Sequence, residues 1–328
     1  MLSAILGLEG TRLSPSEYAF FRHEDPWAFI LFARNVQTRE QVRALCSQLR
    51  DCVGRDCLIF IDQEGGRVQR MRPPEWYDYP SGADYLAVWR RNARDGLRAV
   101  WLGQRLIAHD LREAGVTASC APVLDVPRPG ADPIISDRAL GETPEEVVTL
   151  AHAAMAGLSA GGVATVIKHI PGHGRAEVDS HKALPVIRAN SLEDDIAPFR
   201  ALNEAAMAMT AHAVYTQVDG HLPITLSRKG IRTLIRGDIG FDGLLMTDDL
   251  DMKALSGRPD TLSRRALSAG CDVVLQCSGD MATMQRVVRG CRRLDGDALR
   301  RARMAECTVM APEPLDVDAA RAELDDLL

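Results

Sequence analysis

Eight short apolar runs recur along this chain, and longer stretches with helical punctuation separate most of them. The runs are AILGL (4–8), FILFA (29–33), LIFID (58–62), ASCAPVLDV (118–126), TVIKHI (165–170), AMAMTAHAVY (206–215), GLLMTDD (243–249) and DVVLQC (272–277). They lack the polar/apolar alternation of a half-wet strand and read as parallel strands buried on both faces. The intervening segments carry helix signals. TREQVRALCSQLRDCVG (38–54) opens on a threonine cap, and 93–115 ends on a glycine stop. TPEEVVTLAHAAMAGLSAGG (143–162) has Thr143 as cap, Pro144 at the first helical position and acids in the first turn. Segments 191–205 and 260–270 follow the same grammar. Strand–helix repetition implies parallel pairing, and eight units imply closure. The expectation is one α/β domain spanning 1–328, a (β/α)8 TIM-type barrel, with a short helical extension from Asp295 to Leu328. An open doubly wound sheet is the alternative arrangement.

Apolar residues make up 46% of the chain and charged residues 26%, an ordinary globular balance that excludes disorder. The formal net charge is -6, with no basic block or arginine-rich face apparent. Neither nucleic acid nor an anionic membrane is therefore expected as a partner. The N-terminus has no positive region, and its apolar run is broken by Gly7, Glu9 and Gly10, so no signal peptide is expected. No stretch reaches the ~18 apolar residues of a membrane span. The eight cysteines are scattered. Cys52 and Cys57 have no second pair at metal-site spacing, so a structural zinc is rejected. Cysteines such as Cys120, Cys271 and Cys277 read as buried small hydrophobes in a reducing, cytoplasmic setting.

Chemistry in such a barrel sits where strands end. Here the ends carry Asp62, Asp125, Lys168 with His169, His212, and Asp248 with Asp249. Gathering so many ionisable groups on one rim is costly without a role, so a site is expected there. The loop after the fifth run, KHIPGHGRAEVDSHKALP, adds His173, Asp179 and His181, and its glycines, Gly172 and Gly174, give it backbone freedom. In an extended stretch, residues two apart point the same way, so Asp179 could orient His181 as a proton-transfer dyad. His169 and His173 have a helix-face metal spacing, but Pro171 opposes a helix there. Of Asp248 and Asp249, strand alternation lets only one point into the mouth, where a carboxylate suits attack on an electrophilic carbon.

The segments ILFARN (30–35), IDQEGGRVQR (61–70), APVLDV (121–126), ISDRAL (135–140), KHIPGHG (168–174) with DSH (179–181), TAHAVY (210–215) and GFDGLLMTDDLDM (240–252) resemble glycoside hydrolase family three, specifically its NagZ-type β-N-acetylglucosaminidases. They occur in family order over most of 1–255. The resemblance implies Asp248 as nucleophile of a retaining mechanism, and Asp179 with His181 as an acid/base dyad. It implies Asp62, Arg70, Arg138, Lys168 and His169 as residues holding N-acetylglucosamine. No metal and no organic cofactor is implied. The expected substrate is a carbohydrate, a muropeptide-type fragment with N-acetylglucosamine on an anhydro-muramoyl residue, and a monomer is expected. Phosphorolysis at the same site is the alternative, and a non-catalytic sugar-binding barrel a third reading. The chain departs from the family pattern at Ser136, where a glycine is usual, and at Trp27-Ala28, where Gly-Gly is usual. The segment PPEWYDYPS (73–81) is read as an individual acceptor side.

Overall fold

A computed structural model describes all 328 residues. Its main sheet runs, in order of neighbours, Ala164–Thr165, Ala118–Ser119, Ile59–Ile61, Pro26–Leu31, Leu2–Leu6, Val273–Gln276, Leu244–Asp249, Met207–Thr210 and Ile167–Ile170. Every pairing in it is parallel. The first and last strands are two halves of one run, interrupted at Val166, whose N–H donates to Ser119 and Ala121 carbonyls. A parallel bridge between Val123 and Lys168 completes the ring. Nine strands therefore form the expected eight-run barrel, because the fifth run is broken.

Side-chain alternation explains why both faces of each run are apolar. Ile5, Ala28, Ile30, Leu58, Phe60, Ala118, Val166, Met209 and Met246 belong to one cluster inside the barrel. Their chain neighbours Ala4, Leu6, Phe29, Leu31, Ile59 and Ile61 pack outward with the helices. Two helices begin at the caps the sequence offers. Thr38 accepts from the Gln41 N–H, and Thr143 forms a reciprocal cap with Glu146.

Several boundaries differ from expectation. The first strand covers Leu2–Leu6 rather than 4–8, and the 191–205 helix contracts to Glu193–Ala201. The run 206–215 stops as a barrel strand at Thr210, and Val214–Tyr215 pairs instead with Val186–Ile187 in a separate two-stranded sheet. A π-helical turn, Ile231–Asp238, occupies the outer layer before the seventh run. The C-terminal extension forms helices Gly296–Glu306 and Val317–Leu327. Ala298, Ala302 and Ala305 of the first join the interior cluster at the N-terminal end of the barrel, closing it from below. Trp27, where a small residue was expected, fills the same end, and its Nε1–H donates to Glu306 at 2.8 Å. No helix is long and apolar enough to cross a membrane.

Candidate active site

A two-residue repeat aims the key side chains. Leu58 and Phe60 face inward, so Asp62 follows them into the mouth; Val166 leads to Lys168, and Leu244 and Met246 lead to Asp248. The mouth is a cavity of about 330 Å³ floored by Ile30, Met209, Leu275 and Cys277. Seven of the eight expected site residues line it: Asp62, Arg70, Arg138, Lys168, His169, His181 and Asp248. Asp179 lies behind His181.

One wall is a chain of alternating charge. Arg70 Nη2 donates to Asp62 Oδ2 at 2.8 Å, and Lys168 Nζ lies 3.0 Å from Asp62 Oδ1 and 2.7 Å from Glu64 Oε1. Arg138 closes the chain with a bidentate grip on Glu64, at 2.9 and 2.8 Å. Burial would raise both carboxyls, but the cations prevail. Asp62 is held well below the usual range, and Glu64 is brought down to about 2. Burial likewise opposes the Lys168 charge, and the two carboxylates overcome it and raise the lysine. Glu64 went unassigned in the sequence. Its signal was present, because it lies two residues beyond Asp62 in the same DQEGG segment.

The histidines are anchored differently. His169 Nδ1 sits 2.6 Å from Asp125 Oδ2, while Asp125 Oδ1 accepts from the His169 and His173 backbone N–H groups. His173 is buried beside it with both ring nitrogens unpartnered, and burial lowers it to about 4, so it is neutral near pH 7. It presents one donor and one acceptor at the cavity wall. His181 Nδ1 meets Asp179 Oδ1 at 2.8 Å and leaves Nε2 free on a ring 63% exposed. The dyad does not form on extended backbone. The His181 N–H also donates to Asp179 Oδ1, and Lys182 and Ala183 N–H groups donate to the Asp179 carbonyl. It is an Asx turn, in which one carboxylate fixes both backbone and ring.

Three other expectations change. Asp248 and Asp249 both line the cavity, because the ladder to the eighth run slips between Met246 and Asp249 and breaks the alternation. Asp249 accepts from Cys277 and Asp251 N–H groups, and burial and its acidic neighbours raise it to about 7. Gly172 and Gly174 answer to close packing as well as conformational freedom. Gly172 has φ 124, and a Cβ on Gly174 would stand 1.9 Å from the Val126 carbonyl oxygen. Residues 73–81 do not line the cavity. Trp76 and Tyr79 are buried, with Tyr79 Oη donating to Asp110, and Arg67, Val68 and Ile134 build the outer wall instead.

The Glycosyl hydrolase family 3 N-terminal domain matches residues 18–303. A beta-hexosaminidase of Alkalilimnicola ehrlichii is 41% identical over 281 residues, 84% of this chain and 80% of that protein. One of Bordetella avium is 37% identical over 281 residues, with the same coverage. The crystal structure of NagZ from Neisseria gonorrhoeae in complex with N-trifluoroacetyl-D-glucosamine superposes with a TM-score of 0.88 at 30% identity, covering 99% of this chain and 97% of that one.

Proposed function

This chain belongs to glycosyl hydrolase family 3 and is a glycoside hydrolase of the β-hexosaminidase type, and on that premise we propose that it releases terminal N-acetylglucosamine from β-linked substrates with retention. The observation that carries this reading is a carboxylate and a carboxylate-anchored imidazole opening on one cavity. Asp248 ends its strand inside the barrel, and the free Nε2 of His181 borders the same space. In the first step an Asp248 oxygen bonds to the anomeric carbon as the glycosidic C–O bond breaks, and His181 gives its proton to the departing oxygen. In the second, water attacks the anomeric carbon, His181 takes the water's proton, and the Asp248–sugar bond breaks. Asp179 holds the imidazole's other nitrogen and so fixes the orientation of the ring. Asp62 accepts from sugar hydroxyls, and Arg70, Arg138, Lys168 and His169 orient the ring. The Neisseria neighbour, with an N-acylated glucosamine bound, supports the sugar class.

The physiological substrate in this proposal is a peptidoglycan turnover fragment bearing N-acetylglucosamine on an anhydro-muramoyl residue, cleaved in the cytoplasm. The test is intact mass and peptide mapping after incubation with a 5-fluoro-N-acetylglucosaminyl donor, which accumulates the covalent intermediate. A sugar adduct on the Asp248 peptide is expected. Turnover of an N-acetylglucosaminide without any adduct overturns the assignment. Free sugar as sole product in excess phosphate is expected, and N-acetylglucosamine 1-phosphate overturns hydrolysis as the reaction.

A further inference from the structure

The sequence shows no arginine-rich face, yet the fold assembles one. At the N-terminal pole of the barrel, opposite the active site, a cavity of about 440 Å³ is lined by Arg228, Arg232, Arg236, Arg292 and Arg301. These residues come from three separate parts of the chain: the turn Arg228–Gly230 with the π-helical turn Ile231–Asp238, the link after helix Met281–Gly290, and the barrel-closing helix Gly296–Glu306. Ile231, Leu267 and Ala269, themselves buried, lie beneath the basin.

The five guanidiniums divide into two classes. Arg236 and Arg301 are fixed. Arg236 donates to the Phe241 and Gly243 carbonyls at 2.8 and 2.7 Å and to Asp272 at 2.8 Å. Arg301 holds Asp242 at 2.6 Å and Asp272 at 3.2 Å. The other three, Arg228, Arg232 and Arg292, are exposed, and their guanidiniums have neither an acidic partner nor a carbonyl acceptor. Five cations thus face two carboxylates, in a chain whose overall charge is -6. Burial lowers the Arg236 pKa, Asp272 opposes the fall, and the neighbouring Arg301 adds to it. A π-helical turn is rare, recurs at functional sites, and here supplies two of the five arginines.

We propose that this basin is a binding site for a small multiply charged phosphate compound, of the size of a nucleoside diphosphate. Guanidinium forks match phosphate oxygens in pairs, and three unpartnered forks around a rim suit a diphosphate better than a single carboxylate. The volume lies within the range of small-molecule pockets and exceeds what one phosphate needs.

Isothermal titration with inorganic pyrophosphate and with ADP at low ionic strength tests this. Three proteins are compared: the native chain, the triple variant Arg228→Ala/Arg232→Ala/Arg292→Ala, and a charge-matched control, Arg12→Ala/Arg94→Ala/Arg188→Ala. Saturable one-site binding is expected for the native chain and the control, with affinity at least about tenfold weaker in the triple variant. Hexosaminidase activity is expected to be unchanged in all three, which verifies folding. No saturable binding by the native chain, or equal weakening in both variants, overturns the site. A short single-stranded oligonucleotide that binds more tightly than ADP overturns the small-ligand assignment.

Discussion

Lys168 is 3% exposed and sits between two carboxylates, so its charge belongs to the architecture as much as to any ligand. Replacing it with methionine leaves Asp62 and Glu64 facing each other with only their outer arginines. Lys168→Met is expected to cost about 3 kcal/mol, the scale of breaking a buried pair from one side, read by denaturant unfolding. Asp249 carries the opposite tension. An acid raised from 3.8 to about 7 keeps its proton in the folded chain across an interval where the unfolded chain has released it. Below that interval both states are protonated and there is no penalty; the penalty grows as pH rises through it and is complete above about 7. Asp249→Asn keeps an acceptor for the Cys277 and Asp251 N–H groups without the charge. Between about pH 5 and about pH 8 the variant is therefore expected to lose less Tm than the native chain. Equal losses in the two would show that Asp249 does not titrate there. At this scale the sequence was legible wherever period two applied, as at Asp62, Lys168 and Asp248. It was not legible at Asp249, where a ladder slip turns a second carboxylate to the cavity.

The loops between strands hold what the sequence showed only in part. The pairing of Asp179 with His181 was readable from their spacing, but its geometry was not, because an Asx turn and an extended segment place residues two apart together for different reasons. The turn preceding Arg138 is more informative. Ser136 departs from an expected glycine and adopts φ 38, a conformation that L residues reach at a cost. Arg67 ties this segment down from the other side, donating to the Ile134 carbonyl at 2.6 Å and to Asp137 at 2.6 Å. Ser136→Gly relieves the strain but frees the unfolded chain, so the net gain is expected to be about 0.5–1 kcal/mol. Differential scanning calorimetry reads it as a Tm increase with KM unchanged, because the Arg138–Glu64 grip stays. A lower Tm would mean that the turn is unstrained with serine in place.

The whole molecule has two unlike poles. At the strand C-termini, charges are stacked around the cavity; at the N-termini, the alanine face of a helix seals the interior and arginines gather around it. The parallel sheet was legible from runs buried on both faces, and it was their number, eight, that favoured a closed barrel over an open doubly wound sheet. The seal and the arginine basin were not, because each is built from segments far apart in sequence whose proximity only closure creates. Trp27 belongs to this lower pole, filling it and bonding Glu306 of the sealing helix. Ala302, with no exposure, is the point where that helix meets the interior cluster. An Ala302→Asp substitution places an unpaired charge there, expected to cost roughly 3 kcal/mol or more. The seventh run begins at that end with Leu244 and reaches Asp248 four residues on, a rise of about 13 Å. If the lower pole supplies stability and the upper pole chemistry, the variant melts well below the native chain yet keeps native KM and kcat at temperatures where it is folded. Native Tm with altered kcat would instead mean that the seal adjusts the strand that carries the proposed nucleophile, Asp248.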